Sequence, residues 1–300
     1  MQYNLFKYLV FICTICICIS LVAGNKKVLM YSHLAKAGGT EIIDKLLKAF
    51  HHVPLFFQTE NMADFLKADK SSVSPIELSN IIDQNNTNNS WLVLQCFVGL
   101  DAVDTSNFDK IFIIGSIREP CSYHLSYWAY QSSFNHTDRP GLHYGKDEHY
   151  SSKADVERFR LYIADTGSKG IDPTLKKLGR RDMFSGGLLT RRVLTTYTTK
   201  DHKFSTDDVD CWVRTEKLND DLNICFQRFM AQGGVVPYYD NFNKTIAAQK
   251  DHKNPSDHQH CSYYFDHSTA RLIHESEAFI YKTFDMVGCC VPDYPNPTAV

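Results

Sequence analysis

The sequence predicts an α/β fold: a single domain with a mainly parallel central sheet flanked by helices, entered through a P-loop-like strand, loop and helix. Three observations carry this. Four short apolar runs, at residues 28–31 (VLMY), 53–59 (VPLFFQT), 91–94 (WLVL) and 111–114 (IFII), read as buried strands. Helical stretches lie between them, as crossovers between parallel strands require. No internal repeat or second apolar core interrupts the chain, so its 300 residues count as one domain with ample material for a core.

The first strand runs into the loop His33-Leu34-Ala35-Lys36-Ala37-Gly38-Gly39-Thr40. A helix over 41–50 follows, with Ile42, Ile43, Leu46, Leu47 and Phe50 along one face. A helix N-terminus behind a glycine loop is a generic anion site, because free N–H groups and the helix dipole both favour negative charge. Gly38 and Gly39 let the backbone close on a phosphate or sulfate, Lys36 adds a charge and Thr40 a hydroxyl. The Walker A pattern is absent, since no glycine stands at the required earlier position and Lys36 precedes the glycine pair. A tight turn with a solvated lysine is the alternative reading of the same residues.

The second strand ends at Glu60. Residues 61–82 read as helical with a break at 71–75, and 83–90 as a polar loop. The third strand ends at Gln95. The fourth leads into Gly115-Ser116-Ile117-Arg118-Glu119-Pro120, and Pro120 suits the first turn of a helix running through Tyr130. Ligands of parallel sheets bind beyond the carboxyl ends of the strands. Lys36, Glu60, Gln95 and Arg118 all follow strand ends and are expected to be neighbours. Residues 131–152 read as a surface loop and 154–164 as a helix. Lys176, Lys177, Arg180, Arg181, Arg191 and Arg192 form a basic region, either a solvated face or a wall for an anionic ligand. Trp212-Val213 is a brief strand, 216–230 an amphipathic helix and 269–284 a last helix.

Composition is that of a globular protein, with 43% hydrophobic and 22% charged residues. A net charge of −2 argues against a general nucleic-acid binder, so any anion site is local. Residues 1–24 read as a signal peptide or signal anchor: 8–23 are almost wholly apolar, and Val22-Ala23-Gly24 suits cleavage. The apolar segment is shorter than the roughly 20 residues of a spanning helix, and Lys26 and Lys27 follow it, which favours cleavage. Either way residues 25–300 enter the secretory pathway, to the Golgi lumen or outside, with membrane contact only through an uncleaved leader. Sequons at Asn85, Asn88, Asn135 and Asn243 agree. Beyond the leader stand Cys96, Cys121, Cys211, Cys225, Cys261, Cys289 and Cys290, an odd set in which disulfides are expected. Adjacent Cys289 and Cys290 are expected to take different partners. His252, His258, His260 and Cys261 fit no standard zinc spacing, and no metal is expected.

Arg118 through Ser126 (REPCSYHLS) supplies a second anion site. The guanidinium forms paired charge-assisted bonds and the serine hydroxyl adds another. Two such sites at adjacent strand ends suit a nucleotide with phosphates on both sides of its nucleoside.

With these two motifs the chain resembles the PAPS-dependent sulfotransferases, particularly the luminal carbohydrate branch. That family shows a loop like H-x-P-K-[TA]-G-[GST]-T, matched by His33–Thr40, and later R-[DE]-P-x5-S, matched by Arg118-Glu119-Pro120 with Ser126. Trp212–Glu216 and Ile280–Phe284 also look like family segments, so the likeness spans roughly 28–285. The resemblance implies that Lys36, Ala37, Gly38, Gly39 and Thr40 bind the 5′-phosphosulfate of PAPS, and Arg118 with Ser126 the 3′-phosphate. It implies sulfuryl transfer to a hydroxyl of a carbohydrate acceptor, with PAPS as co-substrate and Lys36 on the leaving phosphate. Three positions depart from the pattern: Ala35 replaces a proline, Tyr123 stands at a frequent second arginine, and Gln95 stands where several members have a histidine base. Another group in the wider family uses a glutamate a little after the first helix, and Glu60 stands approximately there, so the resemblance implies Glu60 first as catalytic base, ahead of His33, His51 and His52. A catalytically inactive relative that binds such nucleotides or glycans is the alternative. A secreted kinase or NTPase is disfavoured by the missing Walker A motif and Mg²⁺-binding carboxylates.

Overall fold

The computed structural model of the chain describes residues 27–50, 91–96, 100, 110–132, 153–170, 184–199, 201, 203–248 and 258–291. Four strands, β1 (Lys27–Ser32), β2 (Trp91–Cys96), β3 (Lys110–Ile117) and β4 (Cys211–Arg214), make one sheet in the order β2-β1-β3-β4. Each neighbouring pair is parallel. The fold is therefore mixed α/β with a parallel sheet, as the apolar runs predict. The expected strand at 53–59 with Glu60 at its end lies outside the described residues. So do the leader 1–24, the sequons at 85, 88 and 135, and the lysines and arginines at 176–181.

The helices are, in chain order, α1 (Gly39–Phe50), α2 (Pro120–Ser132), α3 (Lys153–Tyr162), α4 (Leu188–Tyr197), α5 (Leu218–Ala231), α6 (Tyr239–Ala248), α7 (His267–Ser276) and α8 (Ala278–Phe284). They cover both faces of the sheet. Successive strand side chains point oppositely, so Leu29 and Tyr31 of β1 join one core and Val28 and Met30 the other. On the first face α1, α5 and α6 contribute Ile42, Leu46, Leu222, Phe226 and Phe242. On the second, α2, α3, α4, α7 and α8 contribute Trp128, Phe159, Val193, Ile273 and Ile280. Each such side chain contributes about 1.5–3 kcal/mol by leaving water.

The structure departs from the sequence reading where distant side chains intervene. β3 runs on to Ile117 instead of ending at Ile114, because β4 pairs with Ile114 through Ile117. Gly115 makes this pairing possible: a β-carbon there would lie 2.9 Å from the Trp212 ring. The expected single helix at 269–284 is two, α7 and α8, parted at Glu277, whose side chain turns inward to cap α4. α4 itself, within the basic region, was not expected. In α6, Phe242 packs edge-on against Phe226 at 4.7 Å.

Among the described residues three disulfides link these elements: Cys121–Cys289, Cys211–Cys225 and Cys261–Cys290. Cys289 and Cys290 do take different partners. Cys211–Cys225 ties β4 to α5, while the other two pin the C-terminal segment to α2 and to the turn before α7. The seventh cysteine, Cys96, lies in β2.

Candidate functional site

The chain leaves β1 for β2 on one side and reaches β3 on the other, so the sheet's topological switch point is the crevice at the carboxyl ends of β1 and β3. Pairing of β1 with β3 ends at Tyr31 and Ile114. Beyond it the hydroxyl of Tyr197, from α4, bridges the strands. It accepts the Ser116 N–H at 2.9 Å and donates to the Ser32 carbonyl at 2.9 Å. Tyr31 donates to Ser116 Oγ at 3.2 Å. Burial raises the pKa of both phenols, so each stays protonated and able to donate.

The turn from β1 to α1 forms one wall. Lys36 adopts φ 66° and Gly38 φ 78°. Left-handed backbone is cheap for glycine but costs a lysine about 1–3 kcal/mol, and such strain gathers at functional sites. Ala37 N–H bonds to Leu34 O at 3.2 Å, and the Gly38 carbonyl takes Glu41 and Ile42 N–H at 3.1 and 3.0 Å. No acceptor among the described residues meets the N–H groups of Gly38, Gly39 or Thr40. They sit in the first turn of α1, where helical geometry supplies none. Gly38 faces Leu218 and Thr215, at 3.0 and 3.4 Å from where a β-carbon would be. Gly39 faces the His33 imidazole so closely that a β-carbon would collide with it. His33 also stacks on Tyr31 at 5.7 Å. Burial, aided by the Lys36 charge, lowers the His33 pKa to about 4, so the ring is neutral near pH 7.

Arg118, directly after β3, forms the facing wall. Its Nη1 donates to the Lys36 carbonyl at 3.3 Å, and its buried Nε has no partner among the described residues. Burial lowers its pKa, opposed by the nearby carboxylates of Glu216 and Glu119, and the guanidinium stays charged. Glu119 caps α2: its carboxylate accepts the N–H groups of Cys121 and Ser122 at 2.9 and 2.7 Å and the Tyr281 hydroxyl at 3.2 Å. The α2 N-terminus is thus filled by the chain's own carboxylate, while no acceptor among the described residues fills that of α1. Burial raises the Glu119 pKa, against these hydrogen bonds.

Of the expected site residues, the structure brings Lys36, Ala37, Gly38 and Gly39 together with Arg118. Thr40 is exposed at the α1 N-terminus, and Ser126 is buried on α2. Tyr130, one turn past Ser126 on the same side of α2, carries the Lys36 ammonium 4.0 Å above its ring. Glu60, His51 and His52 lie outside the described residues. Gln95 does not stand beyond a strand end as expected: it is within β2, paired with Tyr31 of β1, because β2 extends to Cys96. Tyr123 is buried and stacks on Tyr127 at 6.2 Å, and the Arg192 guanidinium lies 4.7 Å from the Tyr127 ring centre. Arg191 instead bonds Gly186 O at 3.1 Å. Arg214 is tied in a fork to Asp221 at 2.7 and 2.8 Å, a structural pair.

Tyr130 and Tyr197 are missed by sequence reasoning. The i, i+4 spacing of Ser126 and Tyr130 is a weak signal for the first; nothing local marks the second. The one cluster of metal-type ligands among the described residues is Glu119, Cys121 and Cys289, and its two sulfurs are joined in a disulfide. Cys261 is likewise bonded, to Cys290, which removes it from the histidine-rich zinc spacing.

No family model matches this chain, and no curated protein matches it.

Proposed function

We propose that this chain is a PAPS-dependent sulfotransferase that moves a sulfuryl group to a hydroxyl of a carbohydrate acceptor in the secretory pathway. The observation that carries the reading is the juncture of the two motifs: Arg118 bonded to the Lys36 carbonyl at 3.3 Å, at the switch point of a parallel sheet. The turn between β1 and α1 serves as a P-loop-like cradle, its open N–H groups at Gly38, Gly39 and Thr40 suited to the 5′-phosphosulfate. The buried, unpartnered Nε of Arg118 suits the 3′-phosphate, with Ser126 further along α2. Three disulfides are in keeping with an oxidising lumen.

Transfer would proceed in line. The acceptor oxygen bonds to sulfur, the bond from sulfur to the bridging phosphate oxygen breaks, and the hydroxyl proton passes to a base. Lys36 neutralises the charge that collects on the bridging oxygen. Glu60 remains the first assignment for the base. His33, neutral and against Gly39, is the described alternative, although a pKa of about 4 makes it a weak one. No metal is required by this scheme.

Incubation of the mature protein with sulfur-labelled PAPS and a panel of glycans tests the reading. Label transfer is expected. Tight binding of 3′-phosphoadenosine 5′-phosphate without transfer to any acceptor would instead identify a catalytically inactive nucleotide binder. No thermal shift with that nucleotide, but one with ATP and Mg²⁺, would overturn the assignment.

A further inference from the structure

Three constraints converge on Lys36. Its backbone is held left-handed at φ 66°, its carbonyl is taken by Arg118 at 3.3 Å, and its ammonium rests 4.0 Å from the centre of the Tyr130 ring. Lysine has a long, flexible stem, and an unrestrained one loses much rotamer freedom each time it meets a ligand. The choice of an aromatic ring as its support is chemically specific. A ring face attracts the cation through its quadrupole and does not itself neutralise it. Tyr130 also stands one turn from Ser126 on the same side of α2.

We propose that Tyr130 is a positioning residue that pre-organises Lys36 for the leaving phosphate, an inference that rests on the sulfotransferase reading. The lysine is ordered on folding, so turnover does not bear that entropy cost.

Lysines of the full mature protein are reductively ¹³C-dimethylated, which keeps their charge, and the Lys36 signal is assigned by its absence in Lys36→Arg. Ring-current shielding should move that signal upfield, both alone and with 3′-phosphoadenosine 5′-phosphate bound. The shift should vanish in Tyr130→Leu and survive in Tyr130→Phe. In labelled-sulfate assays Tyr130→Leu should lower kcat roughly 3- to 30-fold with KM for PAPS little changed, and Tyr130→Phe should restore it. An unshifted Lys36 signal in the wild-type protein overturns the proposal without recourse to any variant. So does a kcat that survives loss of the ring, or a Tyr130→Phe as slow as Tyr130→Leu. A shifted signal in a protein that neither binds the nucleotide nor transfers sulfate would leave the contact standing and bring down the sulfotransferase reading together with the role assigned to Tyr130.

Discussion

The Arg118 guanidinium donates to the backbone carbonyl of Lys36 across 3.3 Å, joining residues 82 positions apart in the chain. One arginine thus both faces the crevice and holds the opposite wall in its left-handed turn. Arg118→Ala should weaken binding of 3′-phosphoadenosine 5′-phosphate by about 1.5–3 kcal/mol, the worth of charge-assisted bonds, read by calorimetry. Lys36→Ala should instead abolish turnover at saturating nucleotide. Unchanged kinetics in either variant contradict the division of roles.

Gly39 owes its identity to space. A methyl at position 39 would meet the His33 imidazole. Gly39→Ala should therefore cost about 1–3 kcal/mol of stability, as overpacking does, measured by urea unfolding. Truncating the ring removes the clash, so His33→Ala should recover most of that loss in the double variant. Strict additivity of the two changes would refute the contact.

Acid should destabilise the fold through the half-buried His33. Its pKa is about 4 in the folded protein against 6.5 for an unhindered imidazole. Between these values the unfolded chain holds the extra proton, so stability falls as pH drops from about 6.5 to 4, by at most about 3 kcal/mol from this group. Burial lowers the His274 pKa as well, which adds a slope of the same sign. Unfolding free energies at pH 7 and 5 should accordingly differ less in His33→Asn than in the wild type. An identical difference would place the ring in water.

Glu277 is wholly buried and occupied on both oxygens. It accepts Leu189 N–H at 2.9 Å, Thr190 N–H at 2.7 Å and Thr190 Oγ1 at 2.6 Å, and meets His124 Nε2 at 2.8 Å. A glutamine in its place has one acceptor oxygen and presents two unwanted donors. Glu277→Gln should cost about 2–4 kcal/mol by leaving α4 donors unmet. The expected mark is earlier loss of amide-exchange protection at Leu189 and Thr190 than in the wild type. Protection equal to the wild type at both amides would show that the cap is dispensable.

Much of the architecture was legible because its cause is local. Leu29 and Tyr31 alternate with Val28 and Met30, and that period of two places β1 between two cores. Lys36, Gly38 and Gly39 announce a special turn through residue types alone. Gln95 was placed wrongly because the end of β2 depends on pairing along β1, which the apolar run WLVL does not record. The break between α7 and α8 was illegible for a similar reason. Residues 269–284 read locally as one helix, and only the demand of α4 for a cap turns Glu277 inward.

By itself the sequence determined the class of fold, the places of the described strands along the chain and two loops whose residue types suit an anion. Tertiary structure decided that these loops meet: β1 and β3 lie side by side, so Arg118 reaches the Lys36 carbonyl. It also decided what surrounds them, setting His33 on Gly39, Tyr130 under the Lys36 ammonium and the Tyr197 hydroxyl between Ser32 and Ser116. Each of these last partnerships spans more than eighty residues, whereas local pattern extends only a turn or a strand. The disulfide partners of Cys289 and Cys290 belong to the same class, chosen by proximity in the folded core.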